Sequence, residues 1–239
     1  MINKWIIVIG VSLLNSLWAP AGNAQTTRET LLGDFNEGWE KDWVSRKLMG
    51  PETRYEVVTE NDTNKVLQAT STQSGSALWH MLKVRPGRVG KISWRWKIEN
   101  PLYDDTAERS KRGDDYAARI YVVFEPHMVN WNSRTLCYVW SAKAEIGDSY
   151  PSPYAKNAHI IVLQSGKDKR KQWITEERNF VADYNSAFGK APELLTAVAV
   201  MVDTENSAQD ARAWFDDIVI EYSDPDAEKT RKEVIRMGN

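Results

Sequence analysis

The chain has 239 residues, 31 Lys and Arg against 33 Asp and Glu, a net charge of −2 and 42% apolar residues, which suits one sizeable core or two small ones. Acids and bases are interspersed, so no basic face stands ready to displace counterions, and nucleic acid is not an expected partner. Cys137 is the only cysteine, which excludes an internal disulfide framework.

In chain order, Lys4 precedes an apolar run from Trp5 to Trp18, and Ala19-Pro20-Ala21-Gly22-Asn23-Ala24-Gln25 comes next. Basic, apolar, then small residues is the order of a secretory signal peptide, so residues 1–24 are expected to be removed after Ala24. That implies a periplasmic or secreted protein. A retained N-terminal anchor is the competing reading, and the lack of a cysteine after the run excludes a lipoprotein. No later segment is apolar enough to span a bilayer, since Leu194 to Val202 is short and ends in Asp203. The mature chain is expected to be soluble, with residues 25–223 forming one domain and 224–239 a charged tail or short helix.

Two-residue periodicity dominates the rest of the chain. Lys91 to Ile98 alternates cleanly, with Ile92, Trp94, Trp96 and Ile98 on one face and Ser93, Arg95 and Lys97 on the other. Similar runs occur at Arg54 to Glu60, Lys65 to Ser71, Ser76 to Lys83, Ala117 to Phe124, Thr135 to Trp140, Ala158 to Gln164, Gln172 to Asn179, Leu194 to Asp203 and Ala211 to Tyr222. Turn-rich pieces such as Asn61-Asp62-Thr63-Asn64 and Ser165-Gly166-Lys167-Asp168 separate them. Many short strands predict an all-β fold, a two-sheet antiparallel sandwich. One short helix is expected at Val181 to Phe188, stopped by Gly189, and a second at Glu228 to Met237.

The loop from Pro101 to Tyr116 is the densest polar stretch, setting Asp104, Asp105, Glu108, Asp114 and Asp115 against Arg109, Lys111 and Arg112. It reads first as a solvated surface loop held by weak ion pairs, and second as a functional loop on a rigid sandwich. Arg119 alternates with Tyr121 inside a strand. On a concave sheet face this pair could bind a carboxylate or sugar hydroxyls. Trp131, Tyr150 and Tyr154 lie in turn-like sequence, where an aromatic face can stay exposed for a sugar ring to stack on, although packing against a loop is the alternative for each. Trp94, Trp96 and Trp214 have the strand positions of core residues, and Cys137 that of a buried, inert thiol.

Catalytic signatures are missing. There is no Gly-x-Ser-x-Gly elbow, phosphate loop or dinucleotide fingerprint, and His80, His127 and His159 stand far apart in sequence. Adjacent Glu176 and Glu177 would face opposite sides of a strand. A lyase on a sandwich needs no local signature, only a base such as His80 or a tyrosine with an arginine.

The combination Trp94-Arg95-Trp96, Gly113-Asp114-Asp115-Tyr116-Ala117-Ala118-Arg119, Tyr138-Val139-Trp140-Ser141, Glu177-Arg178-Asn179 and Trp214-Phe215-Asp216-Asp217-Ile218 resembles the bacterial family catalogued as domain of unknown function 3047. The resemblance covers about Leu31 to Tyr222 and implies an exported domain with no assigned activity. More weakly, the opening Asp34-Phe35-Asn36-Glu37-Gly38 and the closing Phe215-Asp216-Asp217-Ile218 are similar to jelly-roll carbohydrate-binding modules. That likeness implies neighbouring first and last strands, and a structural calcium ion held by Asp34, Asp216 and Asp217. The alternative is that Asp216 and Asp217 accept backbone or arginine hydrogen bonds.

Three functions stay open: an exported, non-catalytic binding domain for a saccharide or other small polar ligand, a glycan-cleaving lyase or hydrolase, and a structural or assembly protein of the envelope. The first is the leading reading. The sequence sets no oligomeric state.

Overall fold

The computed structural model describes residues 27–103, 108–124 and 133–223. The expected signal peptide, the tail helix, Trp131, Asp104, Asp105 and His127 lie outside the described residues.

Among the described residues, thirteen strands form two facing sheets, a sandwich of jelly-roll type, with one α-helix. The first sheet contains β1 (Thr27–Gly33), β3 (Arg54–Asn61), β4 (Asn64–Thr72), β6 (Gly90–Ile98), β11 (Ile174–Asn179) and β13 (Asp210–Ser223). Its order is β11-β6-β13-β4-β3, and β1 pairs with the far half of β13. The second sheet runs β2 (Trp43–Met49), β5 (Gly75–Val84), β12 (Leu195–Asp203), β7 (Ala118–Phe124), β8 (Arg134–Ser141), β10 (Ala158–Ser165), β9 (Ser149–Pro151). Pairing is antiparallel throughout except between β8 and β10, which run parallel. The expected two-sheet antiparallel sandwich is what forms, with this one parallel pair where β9 intervenes in the connection and pairs with the far side of β10.

Period-two side chains explain the core. Ile92, Trp94, Trp96 and Ile98 of β6 meet Leu136, Tyr138 and Trp140 of β8 between the sheets, with Ala118, Ile120, Val122 and Phe124 of β7 beside them. Trp96 and Trp140 pack at 5.9 Å between ring centroids, and Trp94 and Tyr138 at 5.4 Å. Helix α1 (Phe180–Phe188) closes one end of the core with Phe180 and Tyr184. The Asn179 side chain accepts the Ala182 N–H at its start, and Gly189 at φ 72 stops it. Among the described residues, no helix is long and apolar enough to cross a membrane.

Trp214 departs from its expected core position. Ala213 and Phe215 take the inward places on β13, so Trp214 turns outward and lies half-buried beside Lys97 and Gln68. The polar loop before β7 departs as well. Glu108, Asp114 and Asp115 are 4%, 6% and 5% exposed, not solvated. Each caps other backbone or charge: Glu108 accepts the Ser141 hydroxyl and the Ala142 and Ala144 N–H groups, and Asp115 accepts those of Asn206 and Ser207.

Candidate functional site

The outward side of the seven-stranded sheet is apolar where a solvated face would alternate to polar. In register, Val44, Trp79, Ala199, Tyr121, Cys137, Ile160 and Tyr150 succeed one another across the strands. The neighbouring row is Arg46, Ala77, Met201, Arg119, Val139 and Val162. Ala77, Ala197 and Ala199 on the middle strands are fully buried, and Trp79 is 8% exposed. Trp79 and Tyr121 rise on either side of Ala199, their rings parallel within 3° at 6.4 Å between centroids.

On the same side of the sheet is a cavity of about 250 Å³, walled by Leu48, Met49, Tyr121, Tyr154, Ile160 and Met201, with Asp114, Arg119, Asp203 and Glu205 as its polar part. Leu48 and Met49 are about half exposed, and Tyr154 is 42% exposed at the rim. The Tyr154 hydroxyl lies 2.7 Å from Asn206 Oδ1 and 2.9 Å from the Lys111 carbonyl, either of which can accept its one proton, and this holds the ring upright.

Arg119 is 3% exposed and all its reach is used within the protein. Its Nε donates to Asp203 Oδ1 at 2.8 Å, Nη2 to Asp203 Oδ2 and the Asp114 carbonyl, and Nη1 to the Tyr121 hydroxyl at 3.2 Å. Its guanidinium also lies 4.4 Å from the Tyr116 ring centroid. Burial pushes the Asp203 carboxyl well above its ordinary range against the pull of Arg119. Asp114 rises through burial too, with Asp115 adding repulsion against the pull of Arg119. Glu205 is pushed up to about 7, first by burial and then by Asp115 and Asp114, although its backbone hydrogen bond and Arg119 pull it down. Burial pushes the Cys137 thiol up to about 12, so it is inert at the cavity floor.

Of the residues named from sequence, Arg119, Tyr121 and Tyr154 line this one cavity. Tyr150 sits behind it, buried, its hydroxyl 3.0 Å from that of Tyr116 and its ring 4.6 Å from the Arg109 guanidinium. Sequence reasoning missed Trp79, Asp203 and Glu205. One signal was legible: Leu195 to Val202 is apolar without alternation, as a strand covered on both faces must be, and every residue of β12 is buried.

Asp216 and Asp217 lie elsewhere, at a bulge in β13 where Asp217 adopts φ 51. Asp216 is fully buried and accepts from Asn64 Nδ2 at 2.9 Å and Arg95 Nη2 at 2.5 Å, while Asp217 Oδ2 is 3.1 Å from Arg95 Nε. Arg95 thus supplies the positive charge between them. Asp34 Oδ1 accepts the Asn36 N–H at 3.2 Å. A different group, Asp115, Asp203 and Glu205, has carboxylate oxygens within 4.8 Å of one another and could hold a metal ion.

A family model described as a protein of unknown function (DUF3047) matches residues 37–219. No curated protein matches the chain. Among solved structures, the family 11 carbohydrate-binding module of the cellulase Lic26A-Cel5E of Clostridium thermocellum is similar at 11% identity and TM-score 0.43, covering 81% of this chain and 94% of that one. The family 30 carbohydrate-binding module of the Clostridium thermocellum cellulase Cel9D-Cel44B is similar at 12% identity and TM-score 0.39, covering 74% and 90%. The cellulose induced protein Cip1 is similar at 11% identity and TM-score 0.42, covering 79% and 95%.

Proposed function

Because the chain belongs to the DUF3047 family, whose description assigns no activity, we propose a function from its geometry: the outer face of the seven-stranded sheet is a binding surface for a saccharide or similar small polar ligand. The observation that carries this is a cavity on the outward side of that sheet whose apolar and aromatic wall, with Tyr154 at its rim, meets buried carboxylates. Tyr154 offers a ring at the rim, Tyr121 lines the wall, and the carboxylates accept hydroxyl donors. With its donors engaged by Asp203 and Tyr121, Arg119 acts as the rigid post that holds those acceptors in place. The domain works after export, following cleavage after Ala24, without catalysing a reaction.

The test is affinity electrophoresis of the purified chain in gels containing soluble β-glucans, xylan, mannan or pectin. Retardation in at least one gel that is lost in Tyr154→Ala is expected. Equal mobility of the parent in every gel overturns the reading. N-terminal sequencing of exported material tests the cleavage, and a chain beginning before Gln25 would refute it.

A further inference from the structure

We propose that Asp115, Asp203 and Glu205 form a calcium site at the acidic end of the cavity, beside the unpartnered Asp114 Oδ1 and distinct from Asp34, Asp216 and Asp217. Two buried oxygens there lack a donor. Asp114 is 6% exposed and its Oδ1 has no hydrogen-bond partner. Its other oxygen, Oδ2, lies 3.6 Å from Arg119 Nη1. Glu205 Oε2 is the second such oxygen. Both residues line the same cavity as Asp203. A buried carboxylate oxygen with no donor is costly, and in an acid-rich site a hard cation is what relieves it.

The spacing fits one ion. Calcium binds oxygen at about 2.3–2.6 Å, so two ligands of one ion stand at most about 4.6–5.2 Å apart. The carboxylate oxygens of Asp115, Asp203 and Glu205 lie within 4.8 Å of one another. They are also held in place. Asp115 accepts the Asn206 and Ser207 N–H groups at 3.0 and 2.6 Å, and Asp203 accepts the Tyr116 N–H at 3.2 Å. Glu205 is pressed into position by Gly75, where a Cβ would come within 2.7 Å of Oε2 and 3.0 Å of the Met49 carbonyl.

Charge favours a cation over an anion. Four carboxylates surround Arg119, and its guanidinium bridges only Asp203 and Asp114. The ion would add positive charge where Asp115 and Glu205 face each other and leave Arg119 in place. It does not depend on the saccharide reading, and the test contains no sugar.

The experiment uses the full chain stripped with chelator, followed by thermal melts against added Ca²⁺ and by Tb³⁺ luminescence sensitised through Tyr116 and Tyr154. A rise in Tm that saturates with a dissociation constant of about 10⁻⁴–10⁻³ M or tighter is expected. E205Q, nearly isosteric, should weaken binding tenfold or more, and Gly75→Ala should do the same by displacing Glu205. D217N should bind as the parent does. Overturning results are no Tm shift and no sensitised emission in the parent, or binding that D217N abolishes and E205Q leaves intact.

Discussion

Each sheet carries an arginine ringed by carboxylates on its outer face, and the glutamates of the two sites shift in opposite directions. Arg95 sits among Glu60, Asp216 and Asp217, with its side chain 21% exposed and Lys97 nearby. Arg119 sits among Asp114, Asp203, Asp115 and Glu205, with its side chain 4% exposed. At the first site burial pushes Glu60 up, but the hydrogen bonds from Arg95 and Asn64 outweigh it and hold the carboxyl below its ordinary value. At the second, burial and neighbouring acids push Glu205 to about 7 despite the same kind of partner. Contact with an arginine does not by itself hold a carboxyl down, since Asp203 and Asp216 touch theirs and still rise through burial. At Arg119 the neighbouring acids Asp115 and Asp114 add their repulsion to burial and push Glu205 higher still.

The largest break in this comparison should come from Arg119→Met. It leaves Asp203 buried without its counterion, and urea unfolding should show a loss of about 3–5 kcal/mol. A loss below that of Arg95→Met would reverse the ranking of the two sites. Arg95→Met itself should cost about 1.5–3 kcal/mol, since Asp216 keeps Asn64 as a donor and Glu60 reaches solvent.

The pH dependence of stability should then separate the two glutamates, with unfolding monitored in chelator. For Glu60 the folded value lies below the unfolded one of about 4.3, so its contribution is present above that pH and disappears on acidification. For Glu205 the folded value of about 7 lies above the unfolded one, so its contribution is full below about 4.3 and is lost as pH rises through 7. The gap between the parent and E60Q should therefore close below about pH 4, while E205Q should flatten a decline in stability between about pH 4.3 and 7. Parallel profiles for all three proteins would mean that the two sites do not differ as described. The smallest effect belongs to D217N, an exposed partner of Arg95 at 63% side-chain exposure, which should cost about 0–1 kcal/mol and keep the bulge, because Asn tolerates the left-handed backbone.

Much of this architecture was legible in the chain itself. Ten strands stand where alternation or an apolar run put them, because their side chains have one wet and one dry side or two dry ones. β1, β2 and β9 were not legible: β1 and β2 are exposed along most of their length, and β9 has three residues, so no buried face imprints a rhythm on them. Arg119 and Tyr121 could be named together because they share one strand face. Asp203 and Glu205 could not be tied to them, since Asp203 meets Arg119 across 84 positions.

What the letters alone determined was local: strand periods, a short helix ending at Gly189, and the balance of charge that disfavours a polyanion partner. Only the tertiary structure decided which outward face stays apolar, whether an acidic loop is wet or buried, and which carboxylates crowd one arginine. The physical reason is that periodicity records whether a side chain is covered, while strand order and register decide what covers it, and hence which charges must share the same dry space.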